Sequence, residues 1–254
     1  MKLLVVDIVL NSLYSIILPF TWQSALSYPQ LPPSSVIGLL ANALQRYENK
    51  KSPKEYLKIV EKEILWAGSR MMSPCVIKSY TMSAIVKWED TIGGKFTNAL
   101  GRQFAFSTKM QIAAIFNTDS WIEIIEKAIL STPLTCGDSE SCISVCGEPS
   151  LYDIVKMAIL ENEEIETDFP FPFDVDLFKI QGEGGKIFLV HERCGKTNGV
   201  KKGKGTFPLV LYMFPLKEEN GIMHPGKVKL KLKKPLSLYH CQNFFIIPQT
   251  HEIK

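Results

Sequence analysis

Apolar residues take every second position near the amino end of the chain: Leu4, Val6, Ile8 and Leu10. A period of two puts these side chains on one face of an extended chain, so the pattern predicts a half-buried first β-strand over residues 3–10. A signal peptide is a poorer interpretation, because Asp7 interrupts the apolar run and no clear cleavage site of small residues follows. No apolar run is long enough to span a bilayer, and we expect a cytoplasmic protein.

The period changes after two consecutive prolines, Pro32 and Pro33. Apolar residues then recur at three- and four-residue intervals: Val36, Leu39, Leu40 and Ala43. This spacing predicts an amphipathic helix from about Ser34 to Tyr47, with Ser34 or Ser35 as its cap. Gly38 lies inside the helix, where glycine costs about 1 kcal/mol relative to alanine, so we expect another group to pack close to it.

Two more helices and a long hairpin are predicted before residue 136. Ser52-Pro53 is typical of a helix start, with serine as the cap and proline in the first turn. Asn117 or Thr118 is expected to cap a third helix that ends at Thr132-Pro133. Between these helices the chain alternates as strands do, around a polar tip that contains Gly93-Gly94. The pattern predicts a β-hairpin arm over about residues 75–116.

The remainder of the chain is predicted to be rich in strands. We expect them at residues 178–180, 186–192, 207–214, 227–232 and 244–247. An acidic run at 161–168 is interpreted as a solvated loop. Strands and helices followed by a β-rich end form an α+β pattern.

The composition admits a globular protein that binds nucleic acid without requiring one. The 254 residues are 46% hydrophobic and 22% charged, with a net charge of +3. Six cysteines do not make a disulfide framework in a chain of this length. Cys136, Cys142 and Cys146 cluster without the spacing of a zinc site, so we interpret them as reduced thiols. We predict no metal and no cofactor.

One basic segment, residues 193–205, is rich in glycine and carries five positive charges. Its lysines are Lys196, Lys201, Lys202 and Lys204. Glycine lets backbone N–H groups approach phosphates and lysine neutralises them, but a solvated hairpin tip has the same composition, and both interpretations stay open. The segment lacks the Gly-Lys-Ser/Thr ending of a nucleotide-binding loop.

A second basic segment, residues 227–233, alternates lysine with apolar residues. Period two puts its four lysines on one face, about 6.6 Å apart, near the spacing of phosphates along an extended nucleic-acid strand. Lysine on an edge strand is also the ordinary protection against edge-to-edge pairing. We prefer the second interpretation and expect this strand at the edge of its sheet.

Three short motifs, in order, carry a family resemblance. The first comprises Ser27-Tyr28-Pro29-Gln30-Leu31-Pro32-Pro33-Ser34 and Gly38-Leu39-Leu40-Ala41, the second is Arg102-Gln103-Phe104-Ala105-Phe106, and the third is Gly137-Asp138-Ser139-Glu140-Ser141. In this order they resemble the Cas five family of CRISPR-associated proteins, in its archaeal type I-A branch. The resemblance extends to about Glu148.

The resemblance implies both a fold and a function. The fold would be a ferredoxin-like, RRM-type core with a protruding arm over residues 1–148, and a β-rich part over 149–254 packed on it. The function would be that of a non-catalytic, RNA-binding subunit of a type I-A surveillance complex (Cascade), capping the 5′ handle of the crRNA in antiviral defence. Its partners would be that handle, the adjacent backbone subunit and the large subunit, with target DNA met only through the complex and no membrane contact.

Site residues are predicted from the residue types and the resemblance together. Outside the basic loop they are Trp22, Gln23, Tyr28, Ser34, Ser35 and Arg102. The first three would stack on unpaired bases or hydrogen-bond them, although a lone tryptophan such as Trp22 also commonly packs beneath a loop. The serines, at a helix start, and the arginine, on the arm, would hold phosphates.

An enzyme is the alternative class. A metal-independent endoribonuclease that processes precursor crRNA would need a base and an electrostatic stabiliser at a 2′-hydroxyl. Tyr28, Lys109 and His191 are the candidates that the sequence offers for these roles. Asp138 and Glu140 are better interpreted as turn residues than as a catalytic pair, and we predict no catalytic residue.

Overall fold

The structure, a computed structural model, describes residues 1–19, 21, 24–89, 94–138, 141–192, 209–242, 244–249 and 253, with 24, 82–89, 94–100 and 244 described through the backbone alone. Its helices are α1 (Pro33–Glu48), α2 (Pro53–Glu63) and α3 (Ile122–Ser131). Its strands are β1 (Lys2–Leu10), β2 (Ser24–Ala25), β3 (Ile64–Met71), β4 (Cys75–Glu89), β5 (Gly94–Phe106), β6 (Lys109–Phe116), β7 (Leu134–Thr135), β8 (Cys142–Val145), β9 (Ser150–Asp153), β10 (Val155–Ile159), β11 (Glu164–Thr167), β12 (Phe171–Pro172), β13 (Phe178–Gln181), β14 (Lys186–His191), β15 (Leu209–Phe214), β16 (Leu216–Glu219), β17 (Ile222–Pro225), β18 (Val228–Leu232), β19 (Leu236–Cys241) and β20 (Phe244–Ile246). The predicted α+β class is confirmed.

The core is an antiparallel sheet in the order β3-β6-β1-β8-β7, with β9 also paired to β1. β1 therefore lies between β6 on one side and β8 and β9 on the other. The elements β1, α1, β3, β6, α3 and β8 follow one another in the β-α-β-β-α-β order of a ferredoxin-like core. The helix α2 is inserted between α1 and β3 and packs on both.

Both faces of β1 are buried over residues 3–6, whereas Asp7 farther along the strand is exposed. The residues predicted to face the core, such as Leu4 and Val6, pack in a cluster with the helices. Leu3 and Val5 on the opposite face are buried in a second cluster, shared with the C-terminal part. The other buried members of this cluster are Trp66, Ala113, Ile115, Ile154, Phe169, Tyr239, Cys241 and Ile246. The prediction of a half-buried strand is therefore wrong for residues 3–6, where residues beyond 149 help to cover the second face, and it holds for residues 7–10.

Helix α1 differs from the prediction in two details. It begins at Pro33 with Pro32 as the N-cap residue and no side-chain capping hydrogen bond, so neither Ser34 nor Ser35 caps it. A Cβ atom added at Gly38 would meet no atom within 4 Å. The close packing expected at that glycine is therefore absent from the described part of the chain.

The other helices agree better with their sequence signals. Pro53 is the first residue of α2, and the Ser52 N–H group donates to the Glu55 carboxylate at 2.9 Å, as a capping box requires. Helix α3 ends before Thr132 as predicted, but it begins at Ile122, and neither Asn117 nor Thr118 caps it. The Thr118 hydroxyl donates instead to the carboxylate of Glu63, at 2.7 Å.

The strands β4 and β5 form the predicted arm, which is shorter than the predicted range of 75–116, because residues 109–116 are β6 of the core sheet. They pair continuously from Val76 opposite Phe106 to Glu89 opposite Gly94, with one register shift between Ile85 and Lys87. At the base of the arm, β4 also pairs with β17, and β5 also pairs with β2 and, through Ala105, with Tyr14 of the first loop. Beyond these contacts the two strands, as far as they are described, pair only with each other, so the hairpin protrudes from the core.

The C-terminal part contains three small antiparallel sheets, β10-β19-β20, β11-β18-β13 and β12-β15-β14. The strand β11 lies inside the acidic run at 161–168, so the prediction of a loop is wrong for residues 164–167. Its side chains alternate between outward glutamates and buried Ile165 and Thr167. The lysine-bearing strand β18 is paired on both sides, by β11 and by β13. The edge position predicted for it is therefore also wrong.

Within the described ranges, no helix is both long enough and apolar enough to cross a membrane.

Candidate nucleic-acid interface

A cleft of about 360 Å³ opens at the start of α1. The loop after β1, the first turn of α1 and the last residue of β14 bound it. Its described lining residues are Ile16, Ile17, Leu18, Pro19, Thr21, Tyr28, Pro32, Ser34, Ser35 and His191. Three predicted RNA-binding residues, Tyr28, Ser34 and Ser35, are therefore brought together at one cleft.

The first turn of α1 presents polar groups to this cleft. The N–H groups of Ser35 and Val36 donate to the carbonyl of Pro32, at 2.9 and 3.2 Å. The hydroxyls of Ser34 and Ser35 make no hydrogen bond to another described residue. The N-terminus of a helix carries a partial positive charge. An anionic group in the cleft would therefore meet two available hydroxyls and the positive end of a 16-residue helix.

Tyr28 belongs to the core behind the cleft. The residue is only 3% exposed, and its ring stacks on Phe214 with 6.1 Å between centroids and meets Phe188 edge-on at 5.7 Å. Its hydroxyl donates to the carbonyl of Leu189, and burial raises the pKa of the phenol above its ordinary value. The prediction that Tyr28 stacks on an RNA base does not fit this packing, because both ring faces are enclosed. The residue attaches the first loop to β14 and β15.

Backbone hydrogen bonds give the first loop its shape. The N–H of Leu18 donates to the carbonyl of Leu26 at 2.9 Å, and the N–H of Tyr28 donates to the carbonyl of Ile16 at 2.8 Å. The Ser27 N–H group donates to the side-chain oxygen of Gln103 on the arm, at 3.2 Å. The wall of the cleft is thus attached to the arm. Trp22 and Gln23, predicted to contact RNA, fall outside the described residues.

The third motif supports the same loop from behind. Gly137 has a φ of 85°, and a Cβ there would lie 2.6 Å from Cγ1 of Ile16 and 2.9 Å from the carbonyl oxygen of Ser15. The Ser141 hydroxyl donates to the carbonyl of Leu13 at 2.9 Å, and its N–H donates to Asp138 at 2.9 Å. Asp138 is therefore the turn residue that the sequence predicted. Glu140 lies outside the described residues.

Arg102 joins the second motif to the third. Its Nη2 lies 2.8 Å from Oδ2 of Asp138, and about a fifth of each side chain is exposed. The guanidinium also lies over the ring of Phe104, 4.7 Å from the centroid. Its Nε has no hydrogen-bond partner among the described residues. The predicted phosphate contact is thus an arginine already partnered by a carboxylate, and it does not line the cleft at α1.

An exposed ring lies beside this arginine at the base of the arm. Tyr80 is opposite Arg102 in the β4–β5 register and is 49% exposed. It meets Phe104 edge-on at 5.8 Å, and Lys78 is opposite Phe104 on the same face. A cation beside an open aromatic face suits an unpaired nucleotide. The sequence analysis missed Tyr80 and Lys78, although the period of two over 75–88 places them together.

The basic loop lies outside the described residues, which end at 192 and resume at 209. Its predicted phosphate contacts are Lys196, Lys201, Lys202 and Lys204. The loop connects β14 to β15 and begins two positions after His191, which lines the cleft.

Two of the three ribonuclease candidates meet at the cleft. Tyr28 and His191 both line it, whereas Lys109, exposed at the start of β6, does not. A general base needs a pKa near the working pH. Burial raises the pKa of Tyr28, away from the working pH, and its hydroxyl donates its proton in a hydrogen bond to the Leu189 carbonyl.

The cysteine cluster is divided between core and surface. Cys136 is buried, and burial raises the pKa of its thiol, while Cys142 and Cys146 are exposed. In the part of the chain that the structure describes, no group of three or more histidine, cysteine or acidic side chains converges as metal ligands would.

The fold has solved counterparts. The chain aligns over 98% of its length with 99% of a CRISPR protein from Archaeoglobus fulgidus, with a TM-score of 0.63 and 14% sequence identity. A chain of a Type III-B Cmr-beta complex bound to cognate target RNA and AMPPnP aligns with a TM-score of 0.47 and 10% identity, over 89% of this chain and 86% of that one. A chain of a CRISPR RNA-guided surveillance complex aligns with a TM-score of 0.42 and 7% identity, over 99% of this chain and 95% of that one.

No protein-family model and no curated protein matches the sequence. At 14% identity, the alignment with the Archaeoglobus protein establishes a shared fold along the whole chain. The class defined by the structure is therefore an α+β protein with the fold of a CRISPR-associated protein.

Proposed function

We propose that this chain is a non-catalytic, RNA-binding subunit of a type I-A CRISPR surveillance complex and that it holds the 5′ handle of the crRNA. The observation that carries the proposal is the cleft at the start of α1, where Ser34 and Ser35 offer available hydroxyls beside a helix N-terminus. The fold shared with a CRISPR protein supports the same class. The adjacent backbone subunit and the large subunit would be its protein partners.

In this proposal the cleft binds a phosphate or ribose of the handle. The serine hydroxyls and the positive end of α1 would stabilise the phosphate, while the apolar wall from Ile16 to Pro19 would exclude water from it. A neighbouring nucleotide would stack on Tyr80 at the base of the arm. The lysines at 196, 201, 202 and 204 would add positive charge for the RNA.

The test measures binding of a guide RNA with its repeat-derived 5′ handle, against the same RNA without the handle. Replacing both Ser34 and Ser35 with alanine should weaken binding of the handle RNA by roughly tenfold or more, since a hydrogen bond to a charged group contributes about 1.5–3 kcal/mol. The matched control is Ser237→Ala, at an exposed serine of β19. Equal binding of both RNAs, or equal effects of the serine variants and the control, would refute the cleft as the handle site.

We also propose that the chain does not cleave RNA. The arrangement at the cleft supports this, because the buried phenol of Tyr28 is a poor base and Lys109 is not among the lining residues. Purified protein incubated with labelled precursor repeat RNA, with and without a chelator, should leave the RNA intact. Cleavage that persists in chelator and disappears in His191→Ala would establish the endoribonuclease alternative instead.

A further inference from the structure

The outward face of the sheet β11-β18-β13 carries charged side chains in two rows across the strands. One row consists of Glu164, Lys231 and Lys179, and the next consists of Glu166, Lys229 and Gln181. The opposite face of β18 is formed by Val228, Leu230 and Leu232, which are buried in the C-terminal core. The lysine face is defined as Lys179, Lys229, Lys231 and the flanking Lys227 and Lys233.

The lysine face has no explanation as edge protection. β18 is paired on both sides, so its backbone offers no free edge for another strand. The lysines must therefore be explained by what they contact or by what they bind.

Among the described residues, the ion pairs of the lysine face lie at one end only. Glu166 lies 3.1 Å from Nζ of Lys227 and 4.0 Å from Nζ of Lys229. Glu164, beside Lys231, instead accepts a hydrogen bond of 2.8 Å from the amide of Gln181, which reaches across β18. Among the described residues, Lys179 and Lys231 are therefore left without an acidic partner.

These two lysines are directly opposite each other in the β13–β18 register. Cβ atoms of such a pair lie about 4.5–5.5 Å apart, and like charges in this position destabilise a sheet. A surface that keeps a repulsive pair is stabilised by any anion that binds between the two ammonium groups.

A cleft of about 240 Å³ opens at this repulsive pair. Its described lining residues are Glu161, Asn162, Lys179, Lys231, Leu232 and Lys233. Three lysines and one glutamate thus line the cleft, and the ammonium group of Lys233 donates to the Val175 carbonyl at 2.7 Å. The cleft has a net positive charge and polar donors, which suits a phosphate group.

We infer that the lysine face binds the phosphate backbone of a single-stranded nucleic acid that runs along β18, with one phosphate in the cleft between Lys179 and Lys231. Lysines at alternate positions of β18 are about 6.6 Å apart, near the interval between consecutive phosphates of an extended strand. This site lies on a different sheet from the α1 cleft and goes beyond the handle-binding function.

The test uses fluorescence anisotropy with a labelled RNA of about 20 nucleotides that has no handle sequence, from about 50 to 200 mM salt. Changing Lys179 and Lys231 to glutamine should weaken binding at low salt by roughly threefold or more and should reduce the slope of log K against log salt by about 1.4, the value for two lost phosphate contacts. Changing both to arginine should keep most of the binding. Changing Lys54 and Lys58 of α2, two exposed lysines, to glutamine gives the matched loss of charge.

The proposal fails if the Lys179/Lys231 glutamine variant binds this RNA with the parent affinity and salt slope, or if the α2 control loses as much. It also fails if a polyglutamate peptide, and not the RNA, binds in a manner that depends on these lysines. Circular dichroism of each variant checks the fold, and the arginine variant separates loss of charge from loss of structure. Because the RNA lacks a handle, these outcomes are independent of the α1 cleft.

Discussion

The α1 cleft and the lysine face present different chemistry to a nucleic acid. The described lining of the α1 cleft contains hydroxyls, an imidazole, apolar side chains and a helix N-terminus, but no lysine, arginine or acid. The lysine face presents ammonium groups on an open sheet, with glutamates on one side only. Neutral donors in a shaped cleft favour a particular ligand geometry. Surface lysines select a ligand by its charge alone, and their affinity for it falls as the salt concentration rises.

The two surfaces also differ in what supports them. The loop at the α1 cleft is supported by packing and hydrogen bonds with distant parts of the chain, which involve Tyr28, Gly137 and Gln103. The lysine face needs only the pairing of three strands, because its lysines point away from the core. We therefore expect mutations behind the α1 cleft to act mainly through stability, and mutations of the lysine face to act mainly through binding.

The largest effect should come from Tyr28→Ala. Removing a ring packed on Phe188 and Phe214 should lower the free energy of unfolding by about 3–5 kcal/mol, as measured by urea denaturation. Tyr80→Ala is the control at an exposed tyrosine and should change stability by less than about 0.5 kcal/mol. If the two alanine variants are equally stable, Tyr28 does not attach the first loop to β14 and β15.

A pair of glycines should give the next largest effect. Gly137→Ala should destabilise by about 1–3 kcal/mol, because the positive φ and the contacts with Ser15 and Ile16 leave no room for a Cβ. Gly38→Ala should stabilise by up to about 1 kcal/mol, since the helix is open at that position. Thermal unfolding of both variants measures these effects. A lower melting temperature for Gly38→Ala than for the parent would indicate that another group does pack close to Gly38.

The hydroxyl of Tyr28 should give a smaller effect that depends on pH. Below pH 10.0, the ordinary pKa of tyrosine, the phenol is protonated in both the folded and unfolded states. Above it the unfolded state loses the proton while the buried phenol keeps it, so this residue lowers stability by up to about 1.4 kcal/mol per pH unit. Tyr28→Phe should be about 1 kcal/mol less stable than the parent at neutral pH, and the difference should shrink above pH 10.0. A constant difference in denaturant titrations across this range would contradict the burial of the phenol.

The smallest effect should come from Lys179→Gln. Removing one charge of the repulsive pair with Lys231 should raise the free energy of unfolding by about 0.2–1 kcal/mol at low salt, and the gain should fall as salt rises. Lys229→Gln, which removes the charge near Glu166, is the control and should give no such gain. A loss of stability in Lys179→Gln would mean that the two lysines do not repel.

The sequence predicted the elements whose signals are local. The periods of β1 and α1, the Ser52-Pro53 start of α2 and the alternation of the arm all depend on neighbouring residues, and the structure contains each of these elements. It did not predict that β1 is covered on both faces or that β18 is central, because the covering residues lie far along the chain. An alternating lysine pattern looks the same on an edge strand and on the solvent side of a central strand.

The candidate sites show the same limit. Ser34 and Ser35 were predicted from a helix start, and they do line a cleft, although not as caps. Tyr28 could not be recognised as a core residue, because its ring partners Phe188 and Phe214 lie some 160 and 186 positions later. Arg102 and Asp138 were each found in a motif, but only the fold pairs them.

The position of β1 has a consequence for how the chain folds. Its two edges are completed by residues 109–116 and by residues 142–153, so an early strand must wait for segments more than a hundred residues downstream. Contacts between such distant segments slow folding, since a long loop must close before any pairing stabilises it. During synthesis one edge of β1 remains incomplete until β9 has left the ribosome, because β9 pairs with residues 2–5. A strongly apolar strand with an open edge is prone to aggregate, which predicts that chains ending before residue 150 are poorly soluble even though they contain β6, which pairs with the other edge.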